Sequence, residues 1–191
     1  MPEQANLPFV RSGDHPALDF LNTVLKIDGR LVDLLESDQD VLRWLSETGM
    51  PVENQTAKLR SSALIQAARS LRETIRTLVE RRKAHKKLDL STLNAFLAQA
   101  RSSIQLVAAK DDSLHIERHW ENSTPEQILA PIAESAAELF ATADFNLVKP
   151  CESPDCVLWF YDRTRSHHRR WCSMAVCGNR QKVAAFRKRR A

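Results

Sequence analysis

Four cysteines occur in this chain of 191 residues, and all of them fall in its last 41. They form two pairs of equal spacing, Cys151-x4-Cys156 and Cys172-x4-Cys177, separated by 15 residues. A zinc ion takes four thiolates at the corners of a tetrahedron, and two short loops with two thiolates each can supply them without a large core. Two disulfides in an exported protein are the rival account. The first 14 residues contain no basic stretch followed by an apolar one, so no secretory signal is read there. Thiols in a reducing compartment stay free or bind metal. The expectation is therefore a cytoplasmic protein with one structural zinc per chain on Cys151, Cys156, Cys172 and Cys177. His167 and His168 stand nearby, but four thiolates already close the site. A catalytic zinc keeps one position open for water.

Charge is distributed unevenly around this module. The whole chain carries +4, yet from Lys149 onward there are 11 Lys and Arg against three acids (Glu152, Asp155, Asp162), a net +8. The remainder holds 17 bases and 21 acids, a net −4. Such polarity suits a basic end that meets a polyanion, the alternative being a solvated tail that aids solubility. Hydrophobic residues at 43% and charged residues at 27% describe a globular chain, and no apolar run approaches the ~20 residues of a membrane span.

Periodicity before the cysteines is mainly helical. The segment Ala17–Leu25 is too short and mixed to assign, Asp28-Gly29 marks a turn, and Arg30–Leu35 is a short apolar stretch. Ser37 or Asp38 caps a helix that stops at Gly49. A long helix is expected from about Thr56 to Lys83, with Leu59, Ala63, Ala67, Leu71, Ile75 and Leu78 as its buried stripe. Ser91 starts another helix. Ile104–Ala108 and Leu114–Trp120, either side of a polar turn, alternate like a β-hairpin. Ser123 or Thr124 with Pro125 opens a last helix. Within the cysteine module, Val157–Tyr161 is β-prone and is expected to pair with Arg169–Trp171. Gly178-Asn179 reads as a tight turn and N-cap before a helix over 180–190, with Val183 and Phe186 facing the metal core. The fold class expected is α+β and mainly α. A helical domain with a small β-hairpin spans residues 1–146, and a zinc finger of β-hairpin and helix spans 147–191.

The string from Arg169 to Arg180, with Cys177, Gly178, Asn179 and Arg180 at its end, resembles the hallmark of the CGNR zinc finger. The first cysteine pair, Cys151 to Cys156, fits the same family. In that family the finger comes after a helical region called the ABATE domain. The stretch from Gly13 to Thr23 resembles the opening of that domain, and Asp33-Leu34-Leu35 with Trp44-Leu45 resembles its next segment. The resemblance implies a stress-induced transcription regulator that binds DNA.

Candidate nucleic-acid contacts are Arg169, Arg170, Arg180, Lys182, Arg187 and Lys188. Trp171 either stacks on a base or packs on the metal core, with packing preferred. In the N-terminal domain, Asp19, Asn22 and Thr23 sit among apolar neighbours. With Arg72 they line a small-molecule pocket of a sensor, or else form a buried hydrogen-bonded turn. His115, Glu117 and His119 read as an exposed strand face. No phosphate loop, nucleophile elbow or HExxH occurs, so no enzyme is expected. The partner expected is DNA. An adaptor docking on an acidic protein and an RNA-binding protein are the alternatives.

Overall fold

The computed structural model describes residues 7–51 and 60–190. Chain order begins with α1 (Pro16–Leu21), β1 (Val24–Ile27), β2 (Arg30–Asp33), α2 (Asp38–Glu47), α3 (Ala63–Lys83) and α4 (Ser91–Gln99). Then come β3 (Ser102–Ala108), β4 (Leu114–Trp120), α5 (Pro125–Thr142), β5 (Val148–Pro150), β6 (Trp159–Tyr161) and α6 (Asn179–Lys188). The class is α+β and mainly α, as the sequence implied.

Local chemistry accounts for most boundaries. Ser37 and Asp40 form a reciprocal capping box at α2, and the Thr124 hydroxyl caps α5 with Pro125 in its first turn. Asp28 and Gly29 both adopt positive φ, the requirement of a two-residue hairpin turn, and they join β1 to β2 in register Ile27 opposite Arg30. The unassigned segment after Ala17 thus divides into a short helix and a strand. Helix α3 starts at Ala63, after Ser62 in the left-handed region, which is later than expected. The proposed start near Thr56, and Leu59, lie outside the described residues. Its buried stripe is Leu64, Ile65, Ala68, Leu71, Ile75, Leu78 and Val79, with Ala63 and Ala67 only at the margin.

One core joins these helices. Leu18, Phe20 and Leu21 of α1, Trp44 of α2, Leu71 and Ile75 of α3, and Leu129, Ile132 and Leu139 of α5 are all buried in it. Helix α5 packs against α1, α3 and α4 and is the central element, which is why its apolar residues surround it rather than keep to one stripe. Trp44 is core, its ring tilted against that of Phe20 at 5.1 Å, whereas Trp120 is only half-buried beside Arg118. The β3–β4 hairpin forms where periodicity placed it. Among the described residues, no helix is long and apolar enough to cross a membrane.

Candidate metal centre and basic surface

The cysteine module is built on β5 and β6, an antiparallel pair in register Lys149 opposite Phe160. Cys151 comes directly after β5, and its N–H donates to Leu158 O at 2.9 Å, which closes the first cysteine loop. Within that loop Cys156 N–H donates to Ser153 O at 3.0 Å. The second pair sits on a different scaffold. Cys172 precedes a π-helical turn, Met174–Gly178, which carries Cys177 and runs directly into α6. Cys172 N–H also donates to Cys151 Sγ at 3.3 Å, and this ties the two loops together.

All four sulfurs lie within 4.8 Å of one another. Cys172 Sγ is 3.7 Å from Cys156 Sγ and 3.6 Å from Cys177 Sγ. Zinc–sulfur bonds of ~2.3 Å in a tetrahedron set the sulfurs ~3.8 Å apart, so the cluster has the size of a zinc site. Cys151, Cys172 and Cys177 are buried, and Leu158 and Phe160 complete a small core beneath them. Trp171 packs at its edge, as expected, and Val10 and Leu25 reach it from the helical domain. Hydrogen bonding with Cys156 and Cys172 pulls the Cys151 thiol down to about 2, and the same bonding pushes Cys156 up to about 12 and Cys172 upward. Four thiolates at this spacing repel one another, and a dication is the charge that lets them coexist.

The pairing of β6 departs from expectation. Arg169–Trp171 is not its partner; this segment runs along the first cysteine loop, where Glu152 N–H donates to Arg170 O at 3.0 Å. The reason is that the free edge of β6 is already occupied. Tyr161 N–H donates to Gly13 O at 2.8 Å. The Asn22 side chain brackets Trp159, donating to its carbonyl and accepting from its N–H, both at 2.9 Å. The N-terminal stretch therefore covers the outer edge of β6, while the finger's sheet stays two-stranded.

This geometry replaces the ligand-pocket expectation with a structural one. Asn22 is spent on Trp159. Asp19 Oδ1 accepts from Gly13 N–H at 2.8 Å, and burial raises the Asp19 pKa against the pull of that bond. A Cβ on Gly13 would come within 2.9 Å of Asp19 N and Leu18 Cβ, so this approach requires glycine. Thr23 Oγ1 donates to Phe20 O at 2.7 Å and accepts from Arg72 Nη1 at 2.9 Å. Arg72, almost fully buried, forks onto Asp33 with two bonds of 2.7 Å. Burial would raise the Asp33 pKa, but that pair overrides it and holds the carboxyl below its usual range. The four side chains are bonded into the protein's own frame.

The basic candidates fall into two groups. Arg169 is a brace. Its guanidinium pairs with Asp14, donates to Ser12 O, Trp171 O and Cys172 O at 2.9, 2.9 and 2.6 Å, and lies 4.3 Å over the Phe160 ring. Arg170 pairs with Glu152 at 2.6 Å and stacks 4.9 Å from Trp171, while staying exposed. Arg180, Lys182, Arg187 and Lys188 all lie on α6, which buries no residue, and among the described residues their side chains make no ion pair. Val183 and Phe186 are about half exposed rather than packed on the metal core, since α6 rests mainly on its own π-turn and touches the first cysteine loop through Gln181 Nε2, which donates to Ser153 Oγ at 3.1 Å. Gly178 is helical, not a turn. A Cβ there would displace the exposed, flexible Met174 side chain and crowd Trp171 at 3.1 Å, so the position is tight.

Sequence reading passed over Asp162. Fully buried, it accepts from Lys149 Nζ at 2.8 Å, Arg169 N–H at 2.9 Å, and the Thr164 N–H and hydroxyl at 3.1 and 2.6 Å. Burial opposes its ionisation, but these donors win and hold its pKa well below the usual carboxylate range. Asp162 is the one acid between Cys156 and Arg190, and that was the available signal.

Four convergent thiolates with no open position define a structural zinc finger clamped to a helical domain. Residues 14–143 match the ABATE family, described as "putative stress-induced transcription regulator", and residues 148–190 match the CGNR zinc finger. The chain belongs to the ABATE family, and its finger holds a single zinc on Cys151, Cys156, Cys172 and Cys177. No individual curated protein is significantly similar to it.

Proposed function

We propose that the protein is a non-enzymatic transcription regulator whose zinc finger presents α6 to duplex DNA. The observation that carries this reading is the contrast between committed and uncommitted cations. Arg169, Arg170 and Lys149 are held by Asp14, Glu152 and Asp162, whereas Arg180, Lys182, Arg187 and Lys188 make no ion pair among the described residues and lie on a helix with no buried residue. A helix of 10 residues, about 15 Å long, fits a major groove, and such cations suit phosphates. Zinc acts here through folding, by fixing the π-turn that launches α6.

Salt-dependent anisotropy with duplex DNA tests this. Four phosphate contacts give a log–log slope of roughly −3.6, at −0.9 per phosphate. Arg187→Ala should weaken all duplexes alike and flatten that slope by about one. Arg180→Ala, in the first turn of α6, should reduce preference between sites while zinc stays bound. Absence of duplex affinity at low salt in zinc-loaded protein would overturn the reading. The exposure of Val183 and Phe186 favours a second one, an adaptor that docks an acidic partner on α6. That reading expects the zinc-loaded protein to bind an acidic protein and no duplex, with a salt dependence shallower than that of phosphate contacts because Val183 and Phe186 contribute an unscreened apolar part. The internal bonds of Asp19, Asn22, Thr23 and Arg72 support a framing role for these residues over a sensing pocket.

A further inference from the structure

Neither strand of the β3–β4 hairpin has a fully buried residue. Seven-residue strands at ~3.3 Å per residue make this an arm about 23 Å long. A two-stranded hairpin alone in water is marginal and gains stability by packing one face on something else. Its two faces differ in kind. His115, Glu117 and His119 occupy one, with His115 Nε2 3.0 Å from the Glu117 carboxylate. The other is aliphatic: Ile104, Leu106, Leu114 and Ile116 are 62, 64, 65 and 70% exposed. Register places Leu106 directly opposite Ile116 at the centre of this face.

We propose that this aliphatic face is a homodimer interface, covered by the same face of a second copy of the chain. Three features of the arm fit that occupant. The face is self-complementary, because its central row, Leu106 and Ile116, is uncharged and can lie on its own two-fold image. Its ends are complementary in charge. Asp111 and Asp112 stand in the turn at the tip, and Arg118 shares the aliphatic face at the base, opposite Ile104. An antiparallel stack about that row lays the pair at the base, Ser102 with Trp120, against the partner's tip, and the Arg118 guanidinium, 5.5 Å over the Trp120 ring, is thereby brought toward the partner's Asp111 and the partner's Asp112. The area also suffices, since each arm offers on the order of 500 Å2 of apolar surface, within the range of the largest patches on monomers. Two such patches give on the order of 1,000 Å2, the threshold of a specific interface.

The test uses the full-length, zinc-loaded protein and reads mass by sedimentation and light scattering. A dimer of about 43 kDa is expected from a chain of 21.7 kDa. Leu106→Asp with Ile116→Asp should return the monomer mass and weaken self-association by at least 100-fold. Both side chains are already exposed, so helical content and zinc stoichiometry should not change. Arg118→Asp alone should weaken the dimer, and adding Asp111→Arg and Asp112→Arg should restore it. The inference falls if the wild type is a monomer throughout the micromolar range, or if the doubly substituted chain still dimerises. It falls equally if the arm of a monomeric wild type associates instead with lipid vesicles or another protein. Because the readout is mass, the outcome is independent of whether α6 binds DNA.

Discussion

Removing the Asn22 side chain isolates the contact that fastens the finger to the helical domain. Asn22 is 1% exposed, and its amide makes two bonds of 2.9 Å to the backbone of Trp159. Asn22→Ala deletes both while leaving the Asn22 N–H bonded to Leu18 O at 3.0 Å, so α1 keeps its C-cap. Each bond contributes about 1 kcal/mol net, and leaving a Trp159 donor and acceptor unpaired on a partly buried edge adds about 1–2 more. The expected loss is about 3–4 kcal/mol, a roughly 140- to 700-fold rise in the equilibrium for undocking β6. Amide exchange read at Trp159 and Tyr161 should accelerate by that factor, with zinc stoichiometry unchanged because Asn22 does not touch the sulfurs. Asn22→Asp is the informative companion. It retains an acceptor for Trp159 N–H but turns a carboxylate oxygen toward Trp159 O, so it should loosen β6 at least as much. A change under ~0.5 kcal/mol, typical of an indifferent surface position, would refute the clamp.

Two further outcomes concern the metal ligands and the buried acids. Cys172→Ser removes a ligand that lies 3.6–3.7 Å from two others. Elemental analysis should fall from one zinc per chain toward none and exchange protection in β5–β6 should collapse while α3 and α5 stay folded; native cysteines found as two disulfides would contradict this. Acid should destabilise the helical domain through Asp33. Its folded pKa lies below the unfolded carboxylate value of ~3.9, so its contribution is complete above that pH and is lost as pH falls through the folded value. Asp19, whose pKa is raised, acts in the opposite sense over the interval between its two values. Denaturant unfolding of α3 and α5 should therefore show a shallower loss below about pH 4 in Asp33→Asn than in the wild type, and identical slopes would reject the argument.

The parts of this molecule legible in sequence are those whose cause is local. Two Cys-x4-Cys pairs declare a tetrahedral site because ligand chemistry and loop length suffice. The start of α2 is legible at Ser37 or Asp38, of which Ser37 is the cap, and the β3–β4 hairpin in a period of two. Long-range partners leave no such trace. Asn22 and Thr23 were conspicuous as polar residues in an apolar run, but Trp159 lies 137 residues from Asn22 and Arg72 lies 49 from Thr23. Sequence therefore identified the residues and could not choose between a pocket and a buried frame. The strand partner of β6 failed for a related reason. Propensity describes one edge, and the N-terminal stretch that takes the other comes from another part of the chain. Val183 and Phe186 have helical spacing, but burial requires a surface within reach, and α6 rests mainly on its own π-turn.

The same limit governs the basic surface, where counting charges misleads most. Arg169 and Arg170 are adjacent and identical in type, yet one braces the finger and the other stays exposed. What separates them is position around the chain. Arg169 faces Phe160 and the Ser12–Asp14 turn, and its guanidinium makes four bonds, to the Asp14 carboxylate and to the carbonyls of Ser12, Trp171 and Cys172; Arg170 meets Glu152 and the Trp171 ring at the surface. Arg169→Ala would therefore weaken DNA binding by loosening the mount of α6, and its effect cannot be assigned to a phosphate contact. Once Lys149, Arg169 and Arg170 are set aside with their carboxylates, the +8 segment gives up three cations to structure. The charge left to meet a partner is concentrated on α6 and on the Arg163–Arg165 loop. An interface read from such a segment has to begin from which carboxylates the fold has already supplied.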